Sequence, residues 1–271
     1  MGEVLRAILG PDPVLTLAAA GLQANLAGAA AILLVVALRL PVRRRYGAQA
    51  AYHLWLIPPT VTLAGFALFF VTLTAEAAPP FASPATARLG LGAWLAGVVA
   101  SGAAFALAQR RFEAELRAGR AGPAVVGFIS PRIVMPADDG RFSAEELELI
   151  RAHERTHVAR KDPRAVAFVA AAECLFWFNP LVHLAARLLR LDQELACDAA
   201  VMLSRPKSRR LYAGTLLKTQ LAATPLPLGC YWPARGRHPL EVRVALLAET
   251  WVPGAGSGGG VVHAPGDAIR P

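Results

Sequence analysis

His153, Glu154 and His157 fall in the pentapeptide His-Glu-Arg-Thr-His, the stretch with the greatest chemical content in this 271-residue chain. On a helix, positions i and i+4 point to nearly the same side, so the two imidazoles can each offer a nitrogen to one metal ion. Glu154 sits beside them, close enough to hold a water at that ion but poorly placed to be a ligand. Two ligands and a general base from one helical turn are the equipment of metal-assisted peptide hydrolysis. Two incidental histidines on a solvated helix would give the same five letters, so the surrounding sequence must carry the argument.

That sequence predicts a helix. Ser143 followed by Glu146 is a capping box, and Phe142 with Leu147 has the spacing of a hydrophobic staple. Leu147, Ile150, Glu154 and His157 then recur at helical spacing. Asp162-Pro163 suits the cap and first position of a following helix, which ends this one near Arg160. A third ligand is available downstream in Asp192-Gln193-Glu194-Leu195-Ala196-Cys197-Asp198. Glu194 can complete a His-His-Glu set and leave a fourth position for water. One turn on, Asp198 can accept the outer ring N–H of a ligating histidine. Cys197 offers a competing thiolate, although a small buried thiol is the simpler role for it.

These motifs in this order resemble a known family. His153-Glu154-Arg155-Thr156-His157 with Arg160 and Asp162, then Trp177-Phe178-Asn179-Pro180-Leu181, then Glu194-Leu195-Ala196-Cys197-Asp198, are similar to the integral-membrane metallopeptidase domain of the β-lactam sensor-transducers (antirepressors). Ser130-Pro131-Arg132-Ile133-Val134-Met135-Pro136 resembles the short strand that precedes the zinc helix there. The motifs cover roughly residues 124–203. The resemblance implies a gluzincin-type zinc endopeptidase at the cytoplasmic face, with His153, His157 and Glu194 as ligands to Zn2+ and Glu154 as base. Asp162, inside the first motif, is expected to support the ligands together with Asp198. The large extracellular penicillin-binding sensor of the best-known relatives has no counterpart in this sequence.

The elements that must position these residues include a membrane region. Hydrophobic residues make up 55% of the chain and charged ones only 17%, against about 25% charged in soluble domains. Three runs, roughly 14–38, 53–74 and 89–109, are long enough to span about 30 Å of hydrocarbon. Gln23 and Asn25 in the first are expected to face other helices. Arg39, Arg43, Arg44 and Arg45 follow the first span, and Arg110, Arg111, Arg117 and Arg120 follow the third, whereas only Arg88 lies between the second and third. The positive-inside rule therefore places the N-terminus outside and everything after Arg110 in the cytoplasm. Because the arginines flank spans and lack interleaved aromatics, anionic lipid rather than nucleic acid is the expected counter-charge for the net +9.

Residues 164–190 are apolar enough for a fourth span. A straight helix over that length would be about 40 Å long and would strand Glu194 across the bilayer from the histidines. Asn179-Pro180 can instead cap and start a new helix. The expectation is a hairpin of 164–178 and 180–203 that dips into the membrane or packs against it, with Trp177 and Phe178 at its tip and His183 as an interfacial histidine. Ser204-Arg-Pro-Lys207 matches a Ser-x-x-Lys pattern but stands in a basic stretch without a surrounding pocket. The three cysteines have no metal spacing and imply no disulfide framework.

The fold expected is an all-α membrane protein. Residues 1–112 form the transmembrane region, and 113–249 a helical zinc peptidase domain with a hairpin at 164–203 and a short strand. A disordered tail occupies 250–271. The function expected is a multi-pass endopeptidase of the bacterial inner membrane that cuts a cytoplasmic protein, such as a winged-helix repressor, or its own chain. Two other classes stay open: a membrane-protein quality-control protease, and a non-catalytic regulator that keeps zinc as a structural element.

Overall fold

The computed structural model describes residues 12–72, 83–119, 122–136, 140–222 and 239–248. The expected tail at 250–271, Arg120 and Cys230 lie outside the described residues. Helix α1 (Pro13–Tyr46) opens with Asp12, whose carboxylate accepts the backbone N–H groups of Val14 and Leu15, and with Pro13 in the first turn. Over 34 residues it is about 50 Å long and outruns the hydrocarbon layer, so its arginine-rich last turns project beyond it. Gly47, at φ 88°, ends it in a conformation that favours glycine.

Short α2 (Ala48–His53) and a 3₁₀ turn (Leu54–Leu56) then lead into α3 (Ile57–Thr72). Helices α1 and α3 pack closely because small residues face the contact: a side chain at Gly28 would strike the Thr62 hydroxyl. Gln23 faces the same partner, donating to the Gly65 carbonyl at 3.2 Å. Helix α4 (Pro84–Arg117) begins at the Ser83 cap. Helix α1, the stretch Ala48–Val71 and helix α4 are the three described segments long and apolar enough to cross a membrane.

Antiparallel strands β1 (Ala124–Val126) and β2 (Arg132–Val134) come next, so the expected single strand is one half of a small ribbon. Helix α5 (Ala144–Ala159) carries the pentapeptide and has both arms of its capping box in place. Helix α6 (Asp162–Leu175) starts after Lys161, which sits in the left-handed region at φ 61°. Asp162 is therefore the first helical residue rather than the cap, and its carboxylate is committed to His157. Helix α7 (Pro180–Ser204) starts at Asn179, whose side chain accepts the Leu181 N–H. A 3₁₀ turn leads to α8 (Arg209–Ala222), and α9 (Pro239–Ala248) is the last described element. Leu149, Val201, Met202, Tyr212, Leu216 and Leu247 form one buried cluster that joins α5, α7, α8 and α9.

Helices α6 and α7 are the arms of the expected hairpin. The tip is held among the membrane helices: Asn179 donates to Asn25 at 2.8 Å, and the Trp94 indole donates to the Leu175 carbonyl at 2.8 Å. Trp177 lies flush against Gly97 of α4, where any side chain would collide with the indole. At the other end of the same α1–α7 contact, Arg39 is paired with Asp192. The 14 residues from Asn25 to Arg39 match the 13 from Asn179 to Asp192, so the two helices run together for about 20 Å of a layer about 30 Å thick. The hairpin thus reaches part-way along the spans and returns. His183 turns to Glu173 and the Trp177 carbonyl, away from the zinc-type motif.

One expectation is corrected. Arg39 is buried and bidentate on Asp192 at 2.9 and 2.8 Å, and Arg43 lies 3.6 Å from the same carboxylate. Protein, not lipid, neutralises Arg39, because a guanidinium this deeply covered requires a fixed partner. With the native cysteines replaced, single cysteines at Lys161 and Lys207 should react with a membrane-impermeant maleimide from the same side, and one at Phe178 from neither. Opposite labelling of 161 and 207 would make 164–190 a true span.

Candidate active site

The capping box starts α5 in a register that turns His153, Glu154 and His157 inward, behind Leu149 and Ile150. The two Nε2 atoms are 3.0 Å apart. Helix α7 brings Glu194 across: its Oε2 is 3.3 Å from His153 Nε2 and its Oε1 is 3.5 Å from His157 Nε2. A tetrahedral ion with bonds of about 2.0–2.1 Å to nitrogen and oxygen needs donor–donor edges of roughly 3.3 Å. The carboxylate oxygen nearest each ring is a different one, Oε2 on His153 and Oε1 on His157, so Glu194 straddles the two nitrogens and the set can close on a zinc-sized cation through one of its oxygens.

The outer ring nitrogens are held as well. Asp162 accepts from His157 Nδ1 at 2.7 Å. His153 Nδ1 lies 2.7 Å from the Tyr212 hydroxyl, which itself donates to Asp198 Oδ1 at 2.7 Å. A hydroxyl that donates to a carboxylate must accept from the ring, so Nδ1 carries the proton and Nε2 presents its lone pair inward. Asp198 is 3.4 Å from Nδ1 itself and acts chiefly through Tyr212. Arg243 of α9 closes the shell, bidentate on Asp198 at 2.8 and 2.8 Å and 3.0 Å from Glu194 Oε2.

The field follows from this packing. Burial works against protonating the histidines, yet Cys197 and Glu194 around them raise both above the ordinary value, His153 to about 10. Burial would also raise Glu194, but Arg243 and the two histidines hold its carboxyl well below the usual range. Without an ion the two rings therefore hold protons that a bound cation would displace, which makes metal binding stronger as pH rises. Glu154 is buried, and that burial pushes its pKa up against the opposing pull of His153, His157 and Arg243. Cys197 is fully buried beneath them, its thiol donating to the His153 carbonyl at 3.4 Å. Its sulfur and a nitrogen of each histidine lie within 4.8 Å of one another, so the competing thiol is at the site too.

Tyr212 and Arg243 were not legible as site residues from motif spacing. Arg243 leaves one trace: Leu240, Arg243 and Leu247 share a helix face, which puts an arginine on a buried stripe.

A family model described as BlaR1 peptidase M56 matches residues 19–93 and 106–247. The chain belongs to that family. It is 34% identical over 95 residues to the regulatory protein BlaR1 of Bacillus licheniformis, a stretch covering 35% of this chain and 16% of that protein. It is 29% identical over 102 residues to the methicillin resistance mecR1 proteins of Staphylococcus aureus and Staphylococcus epidermidis, covering 36% of this chain and 17% of each. The matches thus span about a sixth of these relatives. M56 membership, together with the three apolar helices, makes this a membrane protein of a metallopeptidase family.

Two substitutions grade the outer shell. Asp162→Ala should weaken metal binding by about 10–100-fold, the usual cost of losing an outer-shell partner. Tyr212→Phe should cost less, because Asp198 can close on Nδ1 directly. Chelator competition on purified protein measures both, and a larger loss at Tyr212 would reverse the assigned order.

Proposed function

We propose that this protein is a membrane-embedded zinc endopeptidase of signal transduction, with its site at the cytoplasmic face. The observation that carries the reading is the convergence of His153, His157 and Glu194 within 3.5 Å of one another, with buried Glu154 beside them. His153, His157 and Glu194 would hold the ion. Bound there, zinc supplies Lewis acidity toward a carbonyl oxygen and makes a water easier to deprotonate.

The chain's own groups do the rest. Glu154 takes the water's proton on its carboxylate and hands it to the leaving amine; a pKa raised by burial suits both halves of that task. Asp162 and the Tyr212–Asp198 pair keep the two imidazoles in the tautomer that leaves Nε2 free. Arg243 holds Glu194 ionised and oriented.

The arginine distribution along the chain supports a cytoplasmic site. Membership of the BlaR1 peptidase family and the likeness to a protein named as regulatory support a signalling role. The substrate in this reading is a cytoplasmic repressor, of winged-helix type, or the chain itself. Cys197 favours one second reading: a thiolate as fourth protein ligand would close the ion as structural zinc sites are closed, giving a regulator without catalysis.

Glu154→Gln separates the two. Zinc content and folding should be unchanged, since Glu154 makes no bond to the ion, while cleavage should fall by about 10²–10⁴-fold. Wild type and variant are co-expressed with candidate repressors, and repressor and self-cleavage are followed by immunoblot. Equal processing by both forms would assign the cleavage to another protease and favour the non-catalytic reading.

A further inference from the structure

Two buried acids near the site, Asp162 and Asp192, bond to residues at the start of the second membrane-length stretch. Asp162 holds His157 through Oδ2 at 2.7 Å and accepts from the Tyr52 hydroxyl through Oδ1 at 3.2 Å. Arg160 stacks on the Tyr52 ring at 4.6 Å and donates to Gln49 at 2.7 Å, fixing α2 against the turn that follows the ligand helix. Asp192, two residues before Glu194 on α7, accepts from the Trp55 indole at 2.9 Å and from both arms of Arg39. Ala51, beside them, is fully buried. Tyr52 and Trp55 are three residues apart, so one face of a short helical stretch holds a support of each ligand-bearing region.

We propose that Gly47–Leu56 is a positioning element of the metal site, holding His157 through Tyr52 and Asp162, and holding in place α7, the helix that carries Glu194, through Trp55 and Asp192. The inference rests on the proposal above in taking His157 and Glu194 as ligands. Its physical basis is the stiffness of the contacts. A buried carboxylate shared by a bidentate guanidinium and an indole is costly to break, so the end of α1, α2 and α7 move as one body. Any change in how α1 and α3 sit together in the membrane then passes to Asp192 and Asp162 without touching the ion. Packed contacts of this kind shift between discrete arrangements rather than stretch, so Gly47–Leu56 is placed to turn a membrane-helix movement into a change of metal geometry. Neither Tyr52 nor Trp55 is a catalytic residue in this account.

The test uses the full chain in detergent. Tyr52→Phe keeps the ring on Arg160 and removes only the hydroxyl; Trp55→Phe removes the indole N–H. Trp177→Phe, at the hairpin tip, removes a comparable indole bond with no route to the ligands. Zinc affinity is read by chelator competition, and the cobalt-substituted forms by their visible absorption bands, which report coordination geometry. Tyr52→Phe and Trp55→Phe should each lower zinc affinity several-fold, by less than Asp162→Ala does, and alter the cobalt spectrum, with Trp177→Phe matching wild type. Wild-type affinity and spectrum in both variants would overturn the proposal while leaving the ligand assignment standing. Full zinc retention by His157→Ala would overturn the ligand assignment itself, and this inference with it.

Discussion

Two histidines from one helix and a glutamate from another can share an ion only if the apolar chain between them turns back inside the membrane layer. Asn179 and Pro180 make that turn: the Asn179 carbonyl oxygen of the side chain caps α7, its amide donates to Asn25, and Pro180 starts the helix. Without the reversal, α6 and α7 would be one span and Glu194 would emerge on the far side. The tip contacts to Trp94 and Gly97, the parallel course of α1 and α7, and the return of Glu194 to within 3.5 Å of the histidines all depend on it.

A second constraint is charge. Asp162, Asp192 and Asp198 are buried and Glu194 is half-buried, and unpaired buried acids would be strongly destabilising. Arg39 and Trp55 serve Asp192, Arg160 and Tyr52 serve Asp162, and Arg243 serves Glu194 and Asp198. Membrane-side arginines and the last described helix are thereby tied to the same few carboxylates. Arg243 thereby stands at the edge of the space between His153, His157 and Glu194.

Much of this was legible because the relevant signals are local. The capping box sets the register of α5, and the i, i+4 spacing puts both histidines on one side. Apolar run lengths give the membrane helices, and Asn-Pro gives the reversal. Glu194 is legible only once the reversal is accepted. Long-range partnerships were not legible: nothing near Tyr212 or Arg243 marks them as neighbours of residues 153 and 194, since their roles come from tertiary packing of α8 and α9. Sequence groups Arg39 with the basic residues that follow the first span, because it gives the distance from the span but not the aspartate 153 positions downstream that pairs with it. Asp162 was one position off as a cap because its carboxylate binds the histidine instead.

The central proposal is that His153, His157 and Glu194, not Cys197, would hold the ion. X-ray absorption at the zinc edge of purified, zinc-loaded protein reads the atoms around it directly. The account predicts a shell of nitrogen and oxygen at about 2.0–2.1 Å with the scattering of two imidazoles, and no sulfur. A sulfur at about 2.3 Å would place Cys197 on the metal, close the site to water, and contradict the peptidase mechanism.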